Sequence, residues 1–100
     1  MIIVAGHIDV APEQRDEFLA GRAETIRKSR TEAGCIEYVF SADALEPGRV
    51  RVFERWESKE ALRAHLSALQ SAAPPAAGGV PRLATELVQY EAGPGGALGS

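Results

Sequence analysis

Apolar and polar side chains alternate along four short segments of the chain, a pattern typical of strands with one buried face. In residues 2–10 the even positions carry apolar side chains or glycine, whereas the odd positions are mixed. Residues 35–42 and 50–56 alternate in the same way, and the Pro-Gly turn between them predicts a hairpin. Residues 82–92 alternate well enough to predict a fourth strand.

Two further segments show apolar residues at helical spacing. The first follows Pro12, which suits the first turn of a helix, and its apolar stripe consists of Phe18, Leu19, Ala23 and Ile26. The second follows the candidate N-cap Ser58, and its stripe consists of Leu62, Leu66 and Leu69. The Pro- and Gly-rich residues 71–81 predict a loop, and residues 93–100 predict a disordered tail.

The order of these elements, βαββαβ, predicts an α+β domain of ferredoxin-like topology over residues 1–92. We expect a four-stranded antiparallel sheet with the first and third strands in its centre and both helices on one face. The chain has 100 residues, which is the size of one domain.

The sheet face opposite the helices is predicted to be too apolar for full exposure to water. Ile3, Ala5, Cys35 and Val39 are assigned to it, mixed with polar residues such as His7, which we interpret as an interface or rim residue. We therefore expect a homodimer in which two sheets pack face to face. A half-wetted face on a monomer is the alternative.

Charge and cysteine content narrow the function classes. The formal net charge is −3 and the longest basic cluster is "RKSR", so neither nucleic acid nor an anionic membrane is an expected partner. Cys35 is the single cysteine, which excludes an intramolecular disulfide. The first residues read as a strand rather than as a signal peptide or a membrane span, and we expect a cytoplasmic protein.

Two aromatic rings lie close to the predicted start of the second helix. His65 borders the apolar stripe of that helix, so its ring can point into the gap between helix and sheet and act as a general base or orient a phenolic hydroxyl. The alternative is a partly buried histidine bonded to a backbone carbonyl. Trp56 ends the third strand beside the same gap, where it would stack on a flat ligand or simply pack in the core. Tyr38 and Glu54 are predicted on the same side.

Motifs for bound cofactors are missing from the sequence. No glycine-rich nucleotide loop follows a strand, and no serine or cysteine lies in a recognisable nucleophile motif. The two histidines are distant in sequence and no carboxylates cluster with them, so no metal site is predicted. The expected cofactor set is none.

The segments "EAGCIEYVF" and "FERWESKEALRAHL" together resemble the antibiotic biosynthesis monooxygenase (ABM) domain family. The resemblance covers roughly residues 2–69. The matching pieces are Gly34-Cys35 followed by Tyr38, Glu54-x-Trp56-Glu57-Ser58, and Ala61-Leu62 followed by His65-Leu66. The family consists of dimeric α+β barrels and includes quinol monooxygenases.

The resemblance implies a monooxygenase that oxidises a small phenol or quinol with molecular oxygen and without flavin, haem or metal. In that case His65 assists proton removal, Trp56 and Tyr38 shape an aromatic pocket that Glu54 shares, and Arg82 stabilises a developing anion. One departure is evident, because Gln70 stands where many relatives carry a second histidine.

Other activities of the fold are weighed against this one. A non-catalytic dimeric module that binds a hydrophobic small molecule or serves in assembly is the main alternative, and an isomerase relative is another. Haem-degrading relatives carry an asparagine where Gly6 falls, so haem degradation is set aside. A phosphorylated substrate is disfavoured by the few cationic residues predicted in the pocket.

Overall fold

The computed structural model describes residues 1–72 and 79–99 and confirms the predicted order of elements. The strands are β1 (Ile2–Asp9), β2 (Cys35–Ala42), β3 (Arg49–Trp56) and β4 (Ala84–Glu91). The helices are α1 (Arg15–Arg30), which follows a 3₁₀ turn at Pro12–Gln14, and α2 (Lys59–Ser71). Ser71 was expected to open a loop but is the last residue of α2, and residues 73–78 of that predicted loop lie outside the described residues. The domain boundary at residue 92 stays a prediction.

The sheet has the predicted order, with β1 and β3 in its centre. Its strands follow one another as β2-β3-β1-β4, and each neighbouring pair is antiparallel. In the register, Val4 pairs with Glu54 on β3 and with Gln89 on β4, and Glu54 in turn pairs with Tyr38 on β2. Paired residues of a sheet point to the same face. These four side chains therefore form one row across the face on which the helices pack.

Both helices lie on this inner face and form two core clusters with it. The Phe18 cluster consists of Phe18 from α1 together with Ile8, Val10, Val50 and Val52 from the sheet region. The Trp56 cluster consists of Leu62 from α2 together with Ile2, Tyr38 and Trp56. Phe40 packs against both clusters and so connects them.

The connection between α1 and β2 is held against the start of α2. Gly34 has a φ of +83°, which favours glycine, and a Cβ at this position would lie 2.5 Å from the Cβ of Ala61. Its carbonyl accepts a hydrogen bond of 2.8 Å from the backbone N–H of Glu57. The Ser58 side chain caps α2 by accepting from the N–H of Ala61. The segment before β2 and the first turns of α2 are thereby fixed relative to each other.

The predicted alternation of β2 is wrong at its first two residues. Cys35 pairs with Trp56 whereas Glu37 pairs with Arg55, so one extra residue, Ile36, lies in β2 at this point. Such a β-bulge shifts the alternation by one position. Cys35 consequently packs against the Trp56 cluster instead of the opposite face, and Ile36 is exposed.

The opposite, outer face of the sheet carries an apolar row across all four strands. The register places Val39, Phe53, Ala5 and Val88 side by side in that order. Three of them are only half-buried and Val88 is exposed. The face is thus as apolar as its sequence pattern predicted.

Among residues 1–72 and 79–99, neither helix combines the length and the apolar character that crossing a bilayer requires.

We expect that Gly6→Ala destabilises the protein by about 1–3 kcal/mol, because the added methyl group would meet the neighbouring strand. Gly6 has a φ of +156°, and a Cβ there would lie 1.8 Å from the carbonyl oxygen of Glu86 on β4. Urea unfolding followed by circular dichroism measures the change. Gly21→Ala is the matched control, because nothing lies within 4 Å of that position on α1. The control should stabilise α1 by about 0.5–1 kcal/mol. Equal effects of the two substitutions would contradict this account of the β1–β4 contact.

Candidate functional site

A cavity of about 280 Å³ lies between the helices and the inner face of the sheet. Much of its lining is apolar and comes from both layers, including Val4, Ile8, Phe40, Leu62, Leu66 and Leu87. The row of four side chains described above forms part of its floor, since all of them line it: Tyr38, Glu54, Val4 and Gln89. Three charged or titratable side chains, Arg22, His65 and Arg82, complete its polar groups. An apolar cavity with a few converging polar groups is typical of a small-molecule site.

His65 is held in the wall of this cavity by a carboxylate. Its side chain is only 2 % exposed, and its Nδ1 lies 2.8 Å from Oε1 of Glu32, in the connection before β2. The ring of Trp56 packs against the His65 ring, with a centroid separation of 4.6 Å. Since a carboxylate accepts hydrogen bonds, Nδ1 carries the hydrogen that is donated to Glu32, and in the neutral form of the ring Nε2 is then the proton acceptor. The alternative of a bond to a backbone carbonyl is therefore wrong.

A buried acid is hydrogen-bonded to the same tryptophan ring. Glu54 is 6 % exposed, and its Oε1 accepts a hydrogen bond of 3.0 Å from Nε1 of Trp56. Burial raises the pKa of the Glu54 carboxyl above its ordinary value of 4.5, whereas the Trp56 N–H, the positive charge of His65 in its protonated form and the charge of Arg22 partly oppose this rise. The cavity floor therefore holds a carboxyl group whose neutral form is favoured.

This carboxyl group should make stability depend on pH. Because the folded protein keeps a proton on Glu54 that the unfolded chain releases above pH 4.5, stability should fall as the pH rises from that value through the raised pKa. We expect wild type to lose stability relative to Glu54→Gln between pH 4 and pH 7, measured by urea unfolding at both pH values. Glu60→Gln, at an exposed position, controls for loss of a surface carboxyl. A Glu54→Gln variant that follows wild type at both pH values would contradict the prediction.

Tyr38 is another residue of the cavity floor, and the pKa of its hydroxyl is shifted. It is 2 % exposed and lies edge-on to both Trp56 and His65. Burial raises the pKa of the Tyr38 hydroxyl, the Glu54 carboxylate adds to the rise, and the charge of Arg22 with hydrogen bonding to Ser29 and Arg22 partly opposes it. Tyr38 therefore stays a neutral hydroxyl at the cavity wall.

Two arginines also line the cavity. The guanidinium of Arg22, on α1, lies 5.3 Å from the ring centroid of Phe40, and that of Arg82 lies 5.7 Å from the centroid of Phe18. Partial burial lowers the pKa of Arg82, and the nearby charge of Arg22 adds to this effect. Two cations thus lie close together in one cavity.

Four of the five predicted site residues line the cavity, and the fifth supports it. His65, Tyr38, Glu54 and Arg82 are brought together as expected. Trp56 is not among the lining residues, because its side chain is 0 % exposed and lies behind the His65 ring. Of the two roles considered for Trp56, packing in the core fits this position and stacking on a ligand does not, and the ring contacts both His65 and Glu54.

Sequence reasoning missed Arg22 and Glu32. Arg22 lies four residues after Phe18 and four before Ile26, so it lies within the apolar stripe of α1. A charged residue at this position could have indicated a site residue. Glu32 lies 33 residues before His65, and nothing in the local pattern connects the two. The inference that the pocket holds few cationic residues is wrong, because two arginines line it.

The family model described as "Antibiotic biosynthesis monooxygenase" matches residues 1–77. The chain belongs to this family. The resemblance seen in the sequence is thereby confirmed.

Two curated relatives of this ABM chain each match about two thirds of it. The uncharacterized protein sll1783 of Synechocystis is 42 % identical over 64 residues, which are 64 % of this chain and 44 % of that protein. The protein named "Putative monooxygenase YcnE" of Bacillus subtilis is 31 % identical over 65 residues, which are 65 % of this chain and 68 % of that protein. The match thus spans less than half of the Synechocystis relative.

Solved structures show the same ABM fold. Crystal structures described as "putative antibiotic biosynthesis monooxygenase" from Deinococcus radiodurans and Chloroflexus aurantiacus superpose on the chain with TM-scores of 0.76 and 0.71. Their sequence identities are 20 % and 27 %, and each comparison covers 98 % of both chains. The ferredoxin-like α+β architecture is therefore that of the family.

Proposed function

We propose that this ABM protein is a monooxygenase that oxidises a small phenol or quinol with molecular oxygen in the cavity between helices and sheet. The observation that carries the proposal is the pair of His65 and Glu32, which places an oriented imidazole in the wall of an otherwise largely apolar cavity. Membership of the family and the name of the Bacillus relative support it.

His65 would act as the general base. With Nδ1–H directed to Glu32, its Nε2 can take the proton of a substrate hydroxyl, as carboxylate–histidine pairs do in other enzymes. Removal of this proton gives an electron-rich phenolate, which can transfer electrons to oxygen without further help. The buried side chains of Trp56 and Tyr38 keep the imidazole in one orientation. A single histidine with a carboxylate partner therefore suffices, although Gln70 stands where many relatives carry a second one.

The reaction needs no external reductant. One oxygen atom enters the ring in place of a hydrogen and the other leaves as water, so that a quinol and oxygen give a hydroxyquinone and water. The substrate supplies all the electrons that reduce oxygen. The protein then has to bind the substrate, accept its proton and exclude bulk water.

Haem degradation is not proposed for this chain. The position at which such relatives carry an asparagine is Gly6, and a Cβ there would lie 1.8 Å from the carbonyl oxygen of Glu86. No side chain fits at residue 6 without displacement of β4.

Oxygen uptake tests the proposed activity. Protein treated with a chelator to remove metal ions is given hydroquinone, catechol or naphthohydroquinone in an oxygen electrode. The product is then analysed by mass spectrometry after reaction in isotopically labelled oxygen. We expect consumption above the uncatalysed rate and one labelled oxygen atom in the product. Binding of these compounds without any protein-dependent uptake would overturn the proposal and favour a non-catalytic binding module.

We also propose that the chain forms a homodimer through the outer face of the sheet. The apolar row from Val39 to Val88 is the surface that a second copy would cover. Light scattering should give twice the mass of one chain for wild type and the mass of one chain for Phe53→Lys, whose charge lies in the middle of this row. A wild-type mass equal to one chain at micromolar concentration would contradict the proposal. The cytoplasmic location expected from the sequence stays a prediction.

A further inference from the structure

We infer that the ligand of this cavity is a small aromatic hydroxy acid, whose carboxylate lies at Arg22 and Arg82 and whose hydroxyl lies at His65. The inference rests on the proposed function for the position of the reacting hydroxyl, and on the arginine pair for the acid group. It names the substrate class of the site.

The cavity has two chemically different ends. At one end, His65 contacts Trp56 and Tyr38 of the Trp56 cluster. At the other end, the guanidinium of Arg82 lies over Phe18 of the Phe18 cluster. Arg22, over Phe40, lies where the two clusters meet.

Backbone contacts fix the position of the arginine end along the sheet. The N–H of Leu83, next to Arg82, donates to the carbonyl of Asp9 at 2.8 Å, so Arg82 lies near the end of β1. The cavity is lined by both Val4 and Ile8, which are separated by about 13 Å along a strand. This length accommodates one aromatic ring with a polar substituent at each end.

The two arginines of the cavity are not paired with a carboxylate in a salt bridge within residues 1–72 and 79–99. Glu54 is the carboxyl group in the lining, and it is hydrogen-bonded to Trp56. Two neighbouring cations that repel each other remain, and an anionic group between them would remove the repulsion.

Arg22 also presents an unused hydrogen-bond donor. Its Nε is buried and has no hydrogen-bond partner among the described residues. A buried N–H without an acceptor costs free energy, so such groups are usually satisfied by protein, water or ligand. The planar guanidinium matches the two oxygens of a carboxylate in a bidentate arrangement.

The lining favours a carboxylate over a phosphate. The cavity is small, about 280 Å³, and leucine, valine and phenylalanine side chains form much of its wall. A doubly charged phosphate would have to lose more of its hydration there than a singly charged carboxylate. The flat walls provided by Phe40 and Tyr38 suit an aromatic ring attached to that group.

Anaerobic titration calorimetry tests the inference with gentisate and its methyl ester, which share the hydroxylated ring and differ in the acid group. We expect gentisate to bind wild type about tenfold more tightly than the ester. In both Arg22→Met and Arg82→Met the affinities for gentisate and its ester should become nearly equal, because methionine keeps the apolar stem and removes the charge. Arg27→Met, at an exposed position on the same helix, should retain it.

Three results would overturn the inference. The first is equal affinity of wild type for gentisate and its ester, which requires no variant and so does not depend on folding. The second is a preference for the acid that persists in both arginine variants. The third is tighter binding of phenyl phosphate than of benzoate, which would assign the anion site to a phosphoryl group.

The test is independent of the proposed oxidation. Because oxygen is excluded, the acid preference is measured without turnover. Arginine-dependent binding of gentisate together with absent oxygen uptake would remove the monooxygenase proposal and retain the ligand class. Oxidation of hydroquinone without any preference for the acid would retain the monooxygenase proposal and remove the ligand class.

Discussion

Oxygen consumption is expected to fall by roughly a hundred- to ten-thousand-fold when His65 is replaced by glutamine. Glutamine fills a similar volume and can still hydrogen-bond to Glu32, but its amide does not accept a proton near neutral pH. Initial rates with the best quinol of the panel, measured with an oxygen electrode, give the change in kcat and in KM. We expect the loss mainly in kcat, because the base acts on the reacting proton.

The other histidine of the chain offers a matched control. His7 lies on the outer face of the sheet, away from the cavity, and near Asp9 and Glu86. His7→Gln should retain the wild-type rate. If His65→Gln kept full activity while its thermal melting matched wild type, the assignment of His65 as the base would be wrong.

Replacement of Trp56 by alanine is expected to reduce the free energy of unfolding by about 3–5 kcal/mol. The side chain is 0 % exposed, packs on His65 and Tyr38, and donates its N–H to Glu54. The substitution leaves a large cavity and also a buried carboxyl group without its donor. Since domains of this size have stabilities of about 5–15 kcal/mol, much of the total would be lost.

Urea unfolding followed by far-ultraviolet circular dichroism measures this loss without the need for tryptophan fluorescence. Leu45→Ala is the control for removal of an apolar side chain, because Leu45 is 88 % exposed. Its effect should stay within about 0.5 kcal/mol. A Trp56→Ala variant as stable as this control would show that the ring is not a core element.

The fold was predictable because its signals are periodic and local. The alternation along β1 and β3 and the leucines of α2 each identify a buried face, and the order of elements then limits the topology. The bulge at Cys35 and Ile36 was not predictable, because one additional residue in a strand leaves its composition unchanged. The position of the bulge depends on the pairing of Cys35 with Trp56, which is a contact between neighbouring strands.

The candidate site was predictable only in part. Its floor follows from strand alternation, which places Tyr38 and Glu54 on the inner face. The contact of Glu32 with His65 depends on how the connection between α1 and β2 packs against α2. The spacing of residues in the sequence does not predict this packing. The burial of Trp56 behind His65 depends on packing depth, which the periodicity of apolar residues does not specify. Arg22 could have been predicted as a site residue, since a charged residue within the apolar stripe of a helix indicates a functional role.

The order of the strands has a consequence for synthesis of the protein. β1 leaves the ribosome before the other three strands, but the strands on its two sides comprise residues 49–56 and 84–91. The hairpin of β2 and β3 can form from neighbouring residues, whereas β1 must wait for partners that are synthesised much later. Until Glu91 has emerged, one edge of this apolar central strand has no partner, and the nascent chain is then open to pairing with other chains.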